Sequence, residues 1–171
     1  MNKKNILNSI FFPRKSTSSK GEEGHIVSVE KGVGVGVHFY LKDKFFDNII
    51  FFHGNAELAE EYADIAHIYH AHRINLIVAD YRGYGFSGGV PTKDNLLIDA
   101  SKIFNYINKE FKNWNFDGKK IVMGRSLGSA SAWEIVSKEP SNVDACIIES
   151  GFATEIPLFS LWGLDPTVIG F

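Results

Sequence analysis

The sequence predicts an α/β fold, a mostly parallel sheet flanked by helices, and two observations carry the prediction. Short runs apolar on both faces, at 48–52, 74–79, 121–123 and 143–148, alternate with longer stretches whose apolar residues recur at helical spacing. Strands of that kind belong to a sheet covered on both sides, the habit of parallel strands joined by helices. A chain of 171 residues with 44% apolar and 22% charged side chains suits one core beneath a soluble surface.

Residues 1–23 read as an N-terminal arm. Lys3 and Lys4 precede Ile6, Leu7, Ile10, Phe11 and Phe12, which imitates a signal sequence. The apolar part is too short and too broken by polar residues to span a bilayer, and Pro13-Arg14-Lys15 follows where a small-residue cleavage site belongs. The arm is expected to be loose, with at most weak contact with a membrane surface, and the folded core to occupy 24–171. Two early strands, 25–29 and 33–40, form a twisted or bulged antiparallel pair, because Gly34 and Gly36 interrupt the second. The buried strand at 48–52 follows. A helix over 57–72 places Leu58, Tyr62, Ile65, Ala66 and Tyr69 on one face, with Asn55 as its N-cap. The strand at 74–79 ends at Asp80. A helix over 92–111 carries Leu96, Leu97, Ala100, Ile103, Phe104 and Ile107 as its core stripe. The run from Ile121 enters Ser126, a helix covers 127–138, and a last strand spans 143–148. The segment 158–171 reads equally as the start of a lid or as the helix after the sixth strand.

Charge and cysteine content narrow the function. A formal net charge of −2 argues against a partner held through nucleic-acid phosphates. Cys146 is the only cysteine and lies in an apolar run, so no internal disulfide forms, which fits the cytoplasm. The spacing of His67, His70 and His72 suggests a metal set, but no carboxylate or cysteine completes it, and the polar side of an amphipathic helix is the better reading. The string Gly83-Tyr84-Gly85-Phe86-Ser87-Gly88 matches a dinucleotide fingerprint. Gly89-Val90-Pro91 then keep the chain in a loop where that motif needs a helix N-terminus, so the match is set aside.

The chemistry gathers at Gly124-Arg125-Ser126-Leu127-Gly128. A strand running into a helix through Gly-x-Ser-x-Gly is the wiring of a nucleophilic serine on a strained turn, the two glycines letting strand and helix approach closely. A tetrahedral intermediate on Ser126 develops a negative oxygen, which needs backbone N–H donors fixed in advance. Leu127, at the start of the helix, supplies one. Asp80, Arg82 and Arg125 are expected to be structural, pairing with each other or capping loops.

Residues 51–57, 80–89, 124–128 and 149–152, in that order, resemble the α/β-hydrolase superfamily. Within it the chain is most similar to small single-domain serine hydrolases such as protein depalmitoylases and lipid esterases. The resemblance implies a serine esterase, thioesterase or peptidase using neither cofactor nor metal and acting on an acyl-bearing small molecule, a lipid or an acylated protein. It implies Asn55 as the second oxyanion N–H, and His53 and Gly54 as supports of that loop, not as base. Glu149 ends a strand where some relatives place the triad acid, and it reads either as that acid or, without a histidine to orient, as a loop-stabilising group. The family order of Ser, then acid, then His conflicts with this chain, whose six histidines (His25, His38, His53, His67, His70, His72) all precede Ser126. The chain is therefore expected to supply strands one to six of eight, to need a further C-terminal segment for its acid and histidine, and to be nearly inactive alone. The alternative expectation is a non-catalytic binding or scaffold remnant of the same fold.

Overall fold

The computed structural model describes residues 10–17 and 19–151; the expectation for 158–171 lies outside them. Six strands form one sheet in the order β1-β2-β4-β3-β5-β6. The first two, β1 (Gly24–Glu30) and β2 (Val33–Tyr40), make an antiparallel hairpin whose register slips between Ser28 and Glu30, the bulge expected of this glycine-interrupted pair. β2 also runs antiparallel to β4 (Ile74–Ala79). β3 (Asp47–Phe52), β4, β5 (Lys120–Arg125) and β6 (Ala145–Glu149) are parallel to one another.

Period-two alternation divides the core between the two faces. Ile50, Phe52, Ile77 and Ala79 join the larger cluster with the apolar stripes of α2 (Lys93–Trp114) and α3 (Gly128–Lys138). Ile49, Phe51, Leu76 and Val78 point the other way, onto Ala59, Tyr62 and Ala66. The β6 strand departs from the buried pattern expected of it. Its residues alternate between exposed and half-buried, because it ends the described sheet and pairs only with β5.

The expected helix over 57–72 is instead a 3₁₀ turn, Ala59–Tyr62, followed by α1 (Ala63–Ala71). Asn55 does not cap it. Its carboxamide is occupied by Ile10, Phe12 and Tyr84, and the Leu58 N–H is bound by the Glu61 carboxylate at 3.0 Å. The α2 helix starts where expected, with Thr92 Oγ1 accepting the Asn95 N–H at 3.2 Å, and ends on Asn115 in the left-handed conformation. Thr92→Ala is expected to cost about 1 kcal/mol of unfolding free energy, read as a lower urea midpoint with an unchanged slope.

The charged residues at strand ends do not pair with each other. Arg82, nearly buried, forks onto the Asp99 carboxylate at 2.6 and 3.0 Å and reaches Glu30 at 2.6 Å. Asp80 takes His53 and the Ala59 N–H, while Arg125 lies between Glu57 and Glu149. Each has found a partner brought in by another element.

Candidate active site

Ser126 lies between the end of β5 and the start of α3 with φ of +48°, a left-handed conformation that side-chain-bearing residues rarely adopt. Its backbone is held on both sides: its N–H donates to the Glu149 carbonyl at 2.9 Å, and its carbonyl accepts the Ser129 N–H at 3.0 Å and the Ser129 hydroxyl at 2.6 Å. The side chain is half-buried, and among the described residues its hydroxyl has no hydrogen-bond partner. Gly124 and Gly128 permit this bend. A Cβ on Gly128 would stand 1.9 Å from the Phe52 carbonyl oxygen, and one on Gly124 would stand 2.4 Å from that of Gly128.

The same close approach brings the His53-Gly54-Asn55 loop to the bend. Phe52 pairs with Gly124 in the sheet, so residues 53–55 and 125–127 leave β3 and β5 side by side. The Leu127 N–H opens α3, and among the described residues neither it nor the Asn55 N–H has a hydrogen-bond partner. The oxyanion candidates named from sequence thus stand on adjoining loops at the carboxyl end of the parallel strands, where ligands of open α/β sheets bind.

His53 is fully buried with both ring nitrogens engaged. Nδ1 donates to the Gly54 carbonyl, which can only accept, at 2.7 Å, and Nε2 lies 3.1 Å from Asp80 Oδ1. The imidazole is a tie between the ends of β3 and β4, with no nitrogen left to take a proton from Ser126. Glu149 is turned to Arg125 at 3.0 Å. Among the described residues no three His, Cys, Asp or Glu side chains gather as a metal site; His70 and His72 each meet a backbone carbonyl, at 3.1 and 2.8 Å. The Gly83–Gly88 segment closes on itself, the Gly83 N–H meeting the Gly88 carbonyl at 3.0 Å, well ahead of α2.

Glu57 was not singled out by the sequence, yet it organises one side of the site. Burial pushes its carboxyl up, but the Tyr62 hydroxyl, the Gly54 amide and the Arg125 guanidinium together hold it below its ordinary value. The Tyr62 phenol is correspondingly driven up by burial and by that carboxylate. The arm departs from the loose segment expected of it. Far from loose, residues 10–16 lie across the site's loops: Phe11 is buried in the core, and Phe12, Arg14, Lys15 and Ser16 bond to residues 55–60 and 84–87. Pro13 behind an apolar triplet was the available signal for an extended, docked segment.

A family model described as serine aminopeptidase, S33, matches residues 44–162. Protein bem46 of Schizosaccharomyces pombe is 31% identical over 72% of this chain and 39% of its own length. Lysophosphatidylserine lipase ABHD12 of Macaca fascicularis is 28% identical over 61% of this chain and 26% of its own. The chain therefore spans well under half the length of these relatives. The esterase Pf2001 of Pyrococcus furiosus superposes with a TM-score of 0.64 at 16% identity, over 90% of this chain and 68% of that one, a likeness of fold.

Proposed function

Since the chain belongs to the serine aminopeptidase, S33, family of α/β hydrolases, we propose that Ser126 is its nucleophile, attacking an ester, thioester or amide carbonyl to form an acyl-enzyme. The observation that carries this reading is the strained backbone of Ser126, φ +48°, with its own hydroxyl left unbonded among the described residues. A serine that merely capped α3 would bond to the helix and would have no need of such a backbone. In the proposed step the Ser126 oxygen bonds to the carbonyl carbon, its proton passes to a base, and the carbonyl electrons move onto oxygen. The Leu127 and Asn55 amides meet that charge. Collapse then expels the alcohol, thiol or amine, which takes up the proton.

Two of the relatives, a lipase and an esterase, favour a lipid or other acyl ester among these classes. The base is proposed to come from residues outside this sequence, because the six histidines here precede Ser126 and His53 is fully engaged. Catalysis by these 171 residues alone would then be the ~10³–10⁴-fold that an oxyanion site and binding give without a complete triad. The single free cysteine favours a cytoplasmic location, and no helix among the described residues is long and apolar enough to cross a membrane.

The non-catalytic scaffold reading draws on the same missing base. A fluorophosphonate probe with peptide mass mapping, applied with the segment that supplies the base present, separates the two. The hydrolase reading expects modification at Ser126, roughly 10³-fold faster than at a serine in an unstructured peptide. An unmodified Ser126, or probe scattered over other serines at the background rate, overturns it in favour of the scaffold.

A further inference from the structure

Resting on the reading of Ser126 as nucleophile, we propose that residues 10–16 are a positioning strap for the oxyanion loop, with the Asn55 carboxamide as its buckle. Within the loop, His53 Nδ1 holds the Gly54 carbonyl, Glu57 accepts the Gly54 amide, and Asn55 Oδ1 accepts the Ala56 N–H at 3.1 Å. The loop follows β3, carries Ala56 at φ +63°, and makes no regular structure before Ala59. The contacts that hold the Asn55 carboxamide and the Ala56 carbonyl from outside come from far away in the chain. Asn55 Nδ2 donates to the Ile10 carbonyl at 2.6 Å, and Asn55 Oδ1 accepts the Phe12 N–H at 3.0 Å and the Tyr84 hydroxyl at 2.6 Å. Both polar atoms of the side chain are engaged by the strap, with Oδ1 also taking the loop after β4 and the adjoining Ala56 N–H at 3.1 Å. On the next residue, Arg14 Nη1 donates to the Ala56 carbonyl at 2.7 Å, while Nη2 meets Glu61 at 2.7 Å.

The strap is itself anchored at both ends. Phe11 inserts among Phe52, Tyr81, Leu96, Ala100 and Ile103. Beyond it, the Gly85 N–H donates to the Arg14 carbonyl at 2.8 Å, and Lys15 Nζ donates to the Ser87 carbonyl at 2.6 Å. The peptide that carries the Asn55 N–H is held at its Gly54 carbonyl by His53 Nδ1 at 2.7 Å, and the strap fixes the Asn55 side chain and the Ala56 carbonyl just beyond it, which leaves the N–H oriented without spending it. An oxyanion donor needs that combination: fixed before the charge appears, and unpaired until then. Ala56 in the left-handed region relaxes once these contacts go, and the peptide rotates with it.

Arg14 and Asn55 act through the backbone and so are positioning residues. The test uses the 171-residue chain together with the segment that supplies the base, in four forms: parent, Arg14→Ala, Arg14→Lys and Asn55→Ala, the last keeping its backbone N–H. Hydrogen–deuterium exchange reports the loop, and the rate of fluorophosphonate modification reports Ser126. In the two alanine variants, exchange over 54–58 is expected to rise at least ~10-fold with β3 and β5 unchanged, and modification of Ser126 to slow by roughly 10–100-fold, within the range for losing one oxyanion donor. Arg14→Lys keeps a donor for the Ala56 carbonyl and is expected to recover part of both losses. Faster exchange with an unaltered modification rate, or unaltered exchange, overturns the strap. A parent whose Ser126 is never modified overturns the hydrolase reading and the strap's catalytic use with it, whatever the exchange shows.

Discussion

Replacing Ser126 by glycine is expected to remove all fluorophosphonate reactivity while leaving the fold as stable as the parent, or up to about 1.5 kcal/mol more stable. The two effects have separate causes. Loss of the nucleophile removes the acyl-enzyme route, up to ~10⁶-fold in turnover wherever a full triad is assembled. The stability gain comes from φ +48°. A left-handed residue with a Cβ costs about 1–2 kcal/mol, which glycine does not incur, and glycine's extra freedom in the unfolded chain takes back about 0.4–1 kcal/mol. Ser126→Ala keeps the Cβ and the strain, so it is expected to be equally unreactive but less stable than Ser126→Gly. Urea melts of both variants and the parent decide the matter. A glycine variant less stable than the alanine one would show that the bend stores no strain, and would withdraw the main support for Ser126 as nucleophile.

Gly128→Ala is expected to be among the most damaging single methyl additions at the described residues, costing about 3 kcal/mol or more. The added Cβ falls 1.9 Å from the Phe52 carbonyl oxygen and 2.8 Å from that of His53, both backbone atoms of or just beyond the central strand β3. No rotamer change relieves such a clash. Either α3 lifts away from the sheet, or β3 shifts and takes the Asn55 loop with it. A fall in melting temperature of about 6–12 °C is the expected reading for a domain of this size, together with loss of Ser126 modification. Gly88→Ala is the matched control. Its Cβ finds nothing nearer than 3.8 Å, so it is expected to stay within about 0.5 kcal/mol of the parent. Equal melting temperatures for the two variants would mean that helix and strand do not touch at Gly128.

The contrast between these glycines shows what a sequence makes legible. Strands β2 and β4 coincide with the ranges read from the sequence, because an apolar run bounded by charged or glycine residues is a local signal. The bend at Ser126 was legible for the same reason, being written in five consecutive residues. Asn55 was placed at the start of a helix because, locally, an Asx residue before Glu57 is a cap. The structure gives its side chain to Ile10, Phe12 and Tyr84, partners that no short window contains. Glu57 was passed over for a like reason, since its importance comes from Tyr62 and Arg125. The strands, the bend and the helical stripes follow from periodicity and turn chemistry, whereas the support of the site follows from tertiary hydrogen bonds with no period.

The strap also imposes an order of assembly. Its bonds join residues 42 to 72 positions apart, from Arg14 to Ala56 and from Phe12 to Tyr84. On a ribosome adding ~5–20 residues per second, Phe12 therefore emerges about 4–14 s before Tyr84 exists to receive it. For that interval Phe11 and Phe12 are a bare aromatic pair on the nascent chain, open to any chaperone that recognises exposed aromatic residues. The strap is thus made before the loops that seat it, and a change that pulls on residues 10–16 would be felt at the Asn55 loop.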